Sequence, residues 1–201
     1  MKKVLTILIA LASLNLVAQT DKDTQALIDK AIAQFEKDGV EMKGVVYVGD
    51  GAFNLTLKMD HERFNASVAD FALWFDGKTQ WFLRSNELYI SQPTSEEQQA
   101  FNPYLLMKNA QKHFDIRKTD GKQLPKGAVA GLQLTPRNYS ELQGAKLFFD
   151  KDNRLVSLQA NLQNGYHADV DITSFKNGIK YEANTFICNP KEYDADVIDM
   201  R

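Results

Sequence analysis

The chain reads as an α+β domain, with one amphipathic helix at the start followed by antiparallel strands in close succession. Three observations point there. Apolar residues recur at helical spacing in "DTQALIDKAIAQFEKDG" (23–39). Beyond that stretch the period changes from 3.6 to 2, with strict apolar/polar alternation in several segments. Asp-Gly and Asn-Gly pairs, the chemistry of tight hairpins, punctuate those segments.

Taken in order, the chain opens MKKVLTILIALASLNLVAQ, with Lys2 and Lys3, an apolar run from Val4 to Val17, and the small Ala18. This is the pattern of a secretory signal peptide, too short and wrongly flanked for a stable membrane span. Cleavage is expected after Ala18, leaving residues 19–201 as a single domain. No cysteine lies near that site, which argues against a lipid-modified N-terminus, and the expected location is extracytoplasmic. The whole chain has 24 basic and 26 acidic residues; loss of Lys2 and Lys3 takes the net charge from −2 to −4. Without a basic stripe, the mildly acidic chain is a poor candidate for binding nucleic acid or an anionic membrane surface, and no nucleic-acid partner is expected. Cys188 is the single cysteine, so no internal disulfide is possible and stability must come from apolar burial.

The first helix places Leu27, Ile28, Ala31, Ile32 and Phe35 on one face, with Asp23 or Thr24 as its cap and Gly39 as its end. In "AFNLTLKM", Phe53, Leu55, Leu57 and Met59 alternate with Asn54, Thr56 and Lys58. "VSLQANLQ" alternates Val156, Leu158, Ala160 and Leu162 with polar residues, and "YHADVDIT" does the same with Tyr166, Ala168, Val170 and Ile172. Turns are expected at Asp50-Gly51, Asp76-Gly77, Asp150 to Asn153, Asn164-Gly165 and Asn177-Gly178. A two-residue loop at Asp50-Gly51 sets Val48 opposite Phe53 and Val46 opposite Leu55. At Asn164-Gly165 a three-residue loop, 163–165, is required to pair Leu162 with Tyr166. An Asp76-Gly77 loop puts both tryptophans, Trp74 and Trp81, on one face. The strands are interrupted by "PTSEEQQAFNPYLLMKN", where Thr94 and Glu97 form a capping box and Asn102-Pro103 restart a helix carrying Tyr104, Leu105, Leu106 and Met107. Hairpins in this number must stack as a sandwich or curl into a barrel.

Catalytic chemistry is not legible. His61, His113 and His167 stand on separate strands or turns without metal-ligand spacing. Asp169 and Asp171 read as the wet side of an amphipathic strand, "DKDN" at 150–153 as a turn lacking the parts of a calcium loop, and Cys188 as a thiol without an activating partner. No enzyme, metal or cofactor is expected. What stands out is a continuous apolar sheet face with helices available to cover it. It is read either as an ordinary core or as a cavity suited to acyl chains.

The segments "WFDGKTQW" (74–81), "YISQPTSEEQQAFNPY" (89–104) and "NPKEYDADVIDMR" (189–201), in this order behind an amphipathic helix, resemble the periplasmic outer-membrane lipoprotein carrier family, LolA. The resemblance implies an incomplete (unclosed) antiparallel β-barrel with helices covering the concave face as a lid. It implies a non-enzymatic periplasmic chaperone that shields the acyl chains of lipoproteins between the inner and outer membranes. Its partners would be acylated lipoproteins, an inner-membrane lipoprotein-releasing ABC transporter and an outer-membrane acceptor, and the protein itself would be a monomer. The residues expected to line the lipid site are Val46, Val48, Phe53, Leu55, Leu57, Phe64, Leu158 and Leu162 from the sheet, with Leu105, Leu106 and Met107 from the lid. The chain departs from the family in two respects: Met59-Asp60 stand where Arg-Pro is common, with Arg63 displaced and Phe64 aligned, and the second strand, "AFNLTLKM", lacks the glycine common there. A carrier of another lipid, or an interaction module whose apolar face is merely core, stays open beside this reading.

Overall fold

In the computed structural model, residues 21–69, 71–94, 97–98, 102–119, 121–138, 142–163 and 165–201 are described; the expected leader lies outside them. The first helix, α1 (Lys22–Phe35), starts two residues earlier than the sequence suggests. Asp21 is its cap, its carboxylate accepting from the backbone N–H of Asp23 and Thr24 at 3.0 and 2.9 Å and from the Thr24 hydroxyl at 2.7 Å. Those hydrogen bonds, led by the hydroxyl, lower the Asp21 pKa. The helix ends at Phe35, and Gly39 begins the first strand instead of closing the helix.

Among the described residues twelve strands follow: β1 (Gly39–Val48), β2 (Gly51–Asp60), β3 (Arg63–Val68), β4 (Phe71–Phe75), β5 (Gln80–Arg84), β6 (Glu87–Ser91), β7 (Phe114–Lys118), β8 (Ala130–Pro136), β9 (Leu142–Phe149), β10 (Leu155–Leu162), β11 (His167–Ile179) and β12 (Asp196–Asp199). They form one sheet in the order β12-β6-β5-β4-β3-β2-β1-β11-β10-β9-β8-β7. Its end strands, β12 and β7, do not pair, so the barrel is unclosed. All pairings are antiparallel except β12 with β6, which is parallel. Between β6 and β7 lie α2 (Pro103–Lys108) and α3 (Ala110–His113), the latter placing His113 on a helix instead of a strand or turn.

Register moves the expected loops without moving the faces. Val46 pairs with Phe53 and Val48 with Gly51, so the β1–β2 loop is Gly49-Asp50, with Gly49 at φ 57°. Glycine as the first of two loop residues supplies the left-handed backbone the tight turn needs. Likewise Phe75 pairs with Gln80, and the loop centres on Gly77-Lys78; the Asp76 carboxylate accepts from the N–H of Lys78 and Thr79 at 2.8 and 2.7 Å. The β10–β11 loop follows expectation, the Leu162 N–H donating to the Tyr166 carbonyl at 2.8 Å. Asn177-Gly178 is not a turn. It lies inside β11, where Gly178 at φ 76° sits at a register shift opposite β1 and donates to the Lys37 carbonyl. A positive-φ residue serves a bulge as readily as a hairpin.

The main core lies on the concave side. Leu27, Ile28, Ala31 and Phe35 of α1, with Tyr104 to Met107 of α2, pack onto Met42, Leu57, Met59, Phe64, Leu73 and Phe75 of the sheet. Phe35 meets Phe175 edge-on at 5.4 Å. A second cluster lies on the convex side. There Trp74, Trp81, Leu88 and Ile90 are covered by Cys188, Tyr193 and Ala195 from the C-terminal segment. That segment runs as a strap through two 3-10 turns, Ala183–Phe186 and Pro190–Glu192, before adding β12 to the edge of β6.

Candidate apolar binding wall

The sites of the concave face follow from strand parity. Side chains alternate between faces, so the pairings set out rows across the sheet. Leu57 of β2, Met42 of β1 and Phe175 of β11 form one row. Towards the hairpin ends follow Leu55, Gly44 and Ile172, then Phe53, Val46, Val170 and Leu158, then Val48, Ala168 and Ala160, and finally Tyr166 and Leu162.

Burial falls steadily along these rows. Leu57 and Phe64 are sealed under the helices, as are Leu105, Leu106 and Met107. Leu55, Val46 and Leu158 are half-buried. Val48, Phe53 and Leu162 are 38, 39 and 38% exposed. The eleven residues expected to line the site thus share the concave side but divide into two populations. Five belong to a packed core, and six carry the apolar face on from it over β2, β1 and β10: Leu55 and Leu158 pack half-buried against the edge of the core, while Val46, Val48, Phe53 and Leu162 extend beyond it as an apolar wall. Nothing charged interrupts the wall: its rows contain only Val, Leu, Ile, Phe, Tyr, Ala and Gly.

The helices are held where they are by polar pins. Asn102 is fully buried; its Oδ1 accepts from the Leu105 N–H at 3.1 Å, and its Nδ2 donates to the carbonyls of His61 and Glu62, each at 3.2 Å. One side chain therefore caps α2 and ties it to the β2–β3 turn. The expected capping box is also present, the Thr94 hydroxyl lying 2.9 Å from a Glu97 carboxylate oxygen and the Glu97 N–H 3.3 Å from the hydroxyl.

Residues missed in the sequence extend the concave surface. Phe71, Phe82 and Tyr89 make an aromatic run across β4, β5 and β6, with ring centroids 5.9 and 6.4 Å apart. The Tyr89 hydroxyl donates to Glu87 at 2.6 Å, which raises its pKa. The signal was there in "FALWF", where Phe71, Leu73 and Phe75 alternate with Ala72 and Trp74 and neither face is polar, so both must be covered. An open notch of about 450 Å³ lies where β2 outruns β3, but apart from Phe53 and Val68 it is walled by convex-face residues such as Asn54, Thr56 and Ser67.

Arg63 belongs to the other face. Its guanidinium lies 5.0 Å over the ring of the fully buried Phe186 and bonds Asp60, so it clamps the strap. Burial opposes ionisation of Asp60, yet hydrogen bonds from His61 and Arg63 outweigh it and hold the pKa below its ordinary value. Cys188 is buried in the strap, and desolvation pushes its thiol to about 11, which keeps it unreactive. His167 bonds Asn161 and stands 3.1 Å from Asp169 on the convex side. Among the described residues no group of three or more His, Cys, Asp or Glu could hold a metal.

No family model matches the chain, and no curated protein matches it. Solved structures do. An uncharacterized conserved protein from Thermus thermophilus superposes with a TM-score of 0.60 at 15% identity, over 89% of this chain and 99% of that one. This establishes a shared fold. A LolA superfamily protein from Nitrosomonas europaea gives 0.43 at 12% identity, covering 82 and 97% of the two chains. The Mycobacterium tuberculosis lipoprotein LppX gives 0.46 at 7% identity, covering 79 and 99%. The last two superpose too loosely to carry weight.

Proposed function

We propose that this protein is a non-catalytic periplasmic carrier of acyl chains, a LolA-like chaperone for lipoproteins. The supporting observation is the uncovered apolar wall: an uninterrupted row-by-row surface of aliphatic and aromatic side chains on the concave side of an unclosed sheet. A monomeric water-soluble protein has no packing reason to leave Val48, Phe53 and Leu162 wet together.

The energetics suit a carrier more than a receptor. Burying an acyl chain of about 16 carbons is worth roughly 12 kcal/mol at about 0.8 kcal/mol per methylene. A bilayer offers the same, and the wall adds no polar groups to fix one headgroup. Loading would therefore need outside energy, as from an inner-membrane lipoprotein-releasing ABC transporter, and unloading a better acceptor at the outer membrane.

Lipid extracted from the protein as isolated from its cells, identified by mass spectrometry, tests the proposal. Acyl chains in stoichiometric amount support it. Lipid-free protein that also fails to bind a fluorescent fatty acid overturns it. The packed state of Leu57, Phe64 and Met107 favours a second reading, in which the concave face is only core and the protein an interaction module. The same probe separates the two, since that module would leave it free.

A further inference from the structure

Nine large apolar side chains are exposed among the described residues, and five of them sit at two neighbouring hairpin ends: Tyr47, Val48 and Phe53 at β1–β2, Leu162 and Tyr166 at β10–β11. The ends lie side by side because β1 and β11 pair, Val48 opposite Ala168. We propose that these two tips form a lip that dips into the interfacial region of a zwitterionic lipid bilayer.

The apolar character of the β1–β2 tip is two-sided. Val48 and Phe53 lie on the concave face, but Tyr47, 41% exposed, lies on the convex one, where the same strand carries Glu41 and Lys43 further down. A wall for cargo needs one apolar face; a tip apolar on both faces is suited to being surrounded. Tyr47 and Tyr166, the latter 60% exposed, have the amphipathic ring favoured at headgroup depth. The five exposed portions together offer roughly 400 Å², about half of the ~800 Å² each partner contributes to a stable protein complex. A second copy of the chain is therefore a poor occupant. Segments 44–57 and 155–175 contain no lysine or arginine, and the tips carry Asp50 and Asp169, so attraction to anionic lipid is not the basis.

The inference rests on the carrier reading for its purpose, since the lip continues into the apolar wall and would give an acyl chain an unbroken apolar path. Its chemistry stands apart from that reading. The test uses phosphatidylcholine vesicles and the processed protein released by cells, so that residues 4–17 do not supply the affinity. Flotation is compared for wild type and the double variant Tyr47→Ser/Ala52→Asp, whose two positions pair on the convex face of the β1–β2 tip and lie outside the wall, with soluble fatty-acid probe binding measured in parallel. In a Tyr166→Trp variant, brominated acyl chains report whether the tip reaches the bilayer.

The expected result is flotation of the wild type, at least tenfold weaker flotation of the double variant with probe binding retained, and quenching of the introduced indole. Probe binding without wild-type flotation overturns the lip and leaves the carrier standing. Flotation without probe binding supports the lip and removes the carrier. Equal flotation of wild type and double variant, or a concentration-dependent dimer that the double variant abolishes, overturns the lip.

Discussion

Trp74 and Trp81 stand directly opposite each other across β4 and β5, on the convex face, under Tyr193 and Cys188 of the C-terminal strap. Each is less than a tenth exposed, and Tyr193 lies 5.6 Å from Trp74 between ring centroids. The paired indoles thus belong to the seam that holds the strap down. They do not face the apolar wall.

Lipid on the wall should therefore leave the native tryptophans silent. Titration with a brominated fatty acid is expected to displace a fluorescent probe without quenching intrinsic emission. Substitution Trp74→Ala should destabilise by about 3–5 kcal/mol in denaturant unfolding, the range for removing a buried aromatic side chain. Strong quenching would put the indoles on the binding side.

Leu57 and Phe53 share a strand face four residues apart but should answer differently to a charge. Leu57→Glu buries an unpaired carboxylate in the packed core, a loss of several kcal/mol against a total stability of about 5–15, and should abolish the native circular dichroism spectrum. Phe53→Glu leaves the carboxylate wet, so the fold should persist while probe binding falls at least tenfold. A folded Leu57→Glu protein would show that the helices do not seal that row.

Asn102→Ala removes the cap of α2 and both of its ties to the β2–β3 turn, at a cost of about 1–3 kcal/mol. Hydrogen exchange at Leu105 to Met107 should accelerate while exchange in β10 and β11 stays as in wild type. Uniform acceleration across the sheet would mean that the helix does not move as a separate unit.

Alkaline pH should loosen the strap. The Cys188 thiol is raised from 9.0 to about 11 and the Tyr181 hydroxyl from 10.0 to about 12, in both cases chiefly by burial. A raised pKa favours the neutral form in the folded state. The stability involved is present in full below pH 9 and is lost as pH climbs through about 11 for the thiol and about 12 for the phenol. The thermal midpoint should fall over this window, less steeply in a Cys188→Ala variant. Rapid reaction of Cys188 with a thiol reagent at neutral pH would contradict its burial.

Much of the fold was legible because strand periodicity is a local property. Phe53, Leu55, Leu57 and Met59 share a face whichever residues form the hairpin loop. The real loop at Gly49-Asp50 moved the pairing by two residues and changed no side chain's face. The capping box at Thr94 and the Asn102-Pro103 helix start were readable for the same reason, since caps are made by residues two or three apart. Asn177-Gly178 misled because a positive φ records only a local backbone need, which in this chain is a bulge against β1. The division of the concave face into core and wall had no local signature. Leu57 and Phe53 are equally apolar, and only the placement of α1 and α2 decides that one is sealed and the other wet. The same holds for the tryptophans. Alternation put both on one face, but a strap arriving from more than 100 residues away decided that this face is closed. Burial depends on which distant elements come to rest on a surface, and that is settled by the packing of the whole chain.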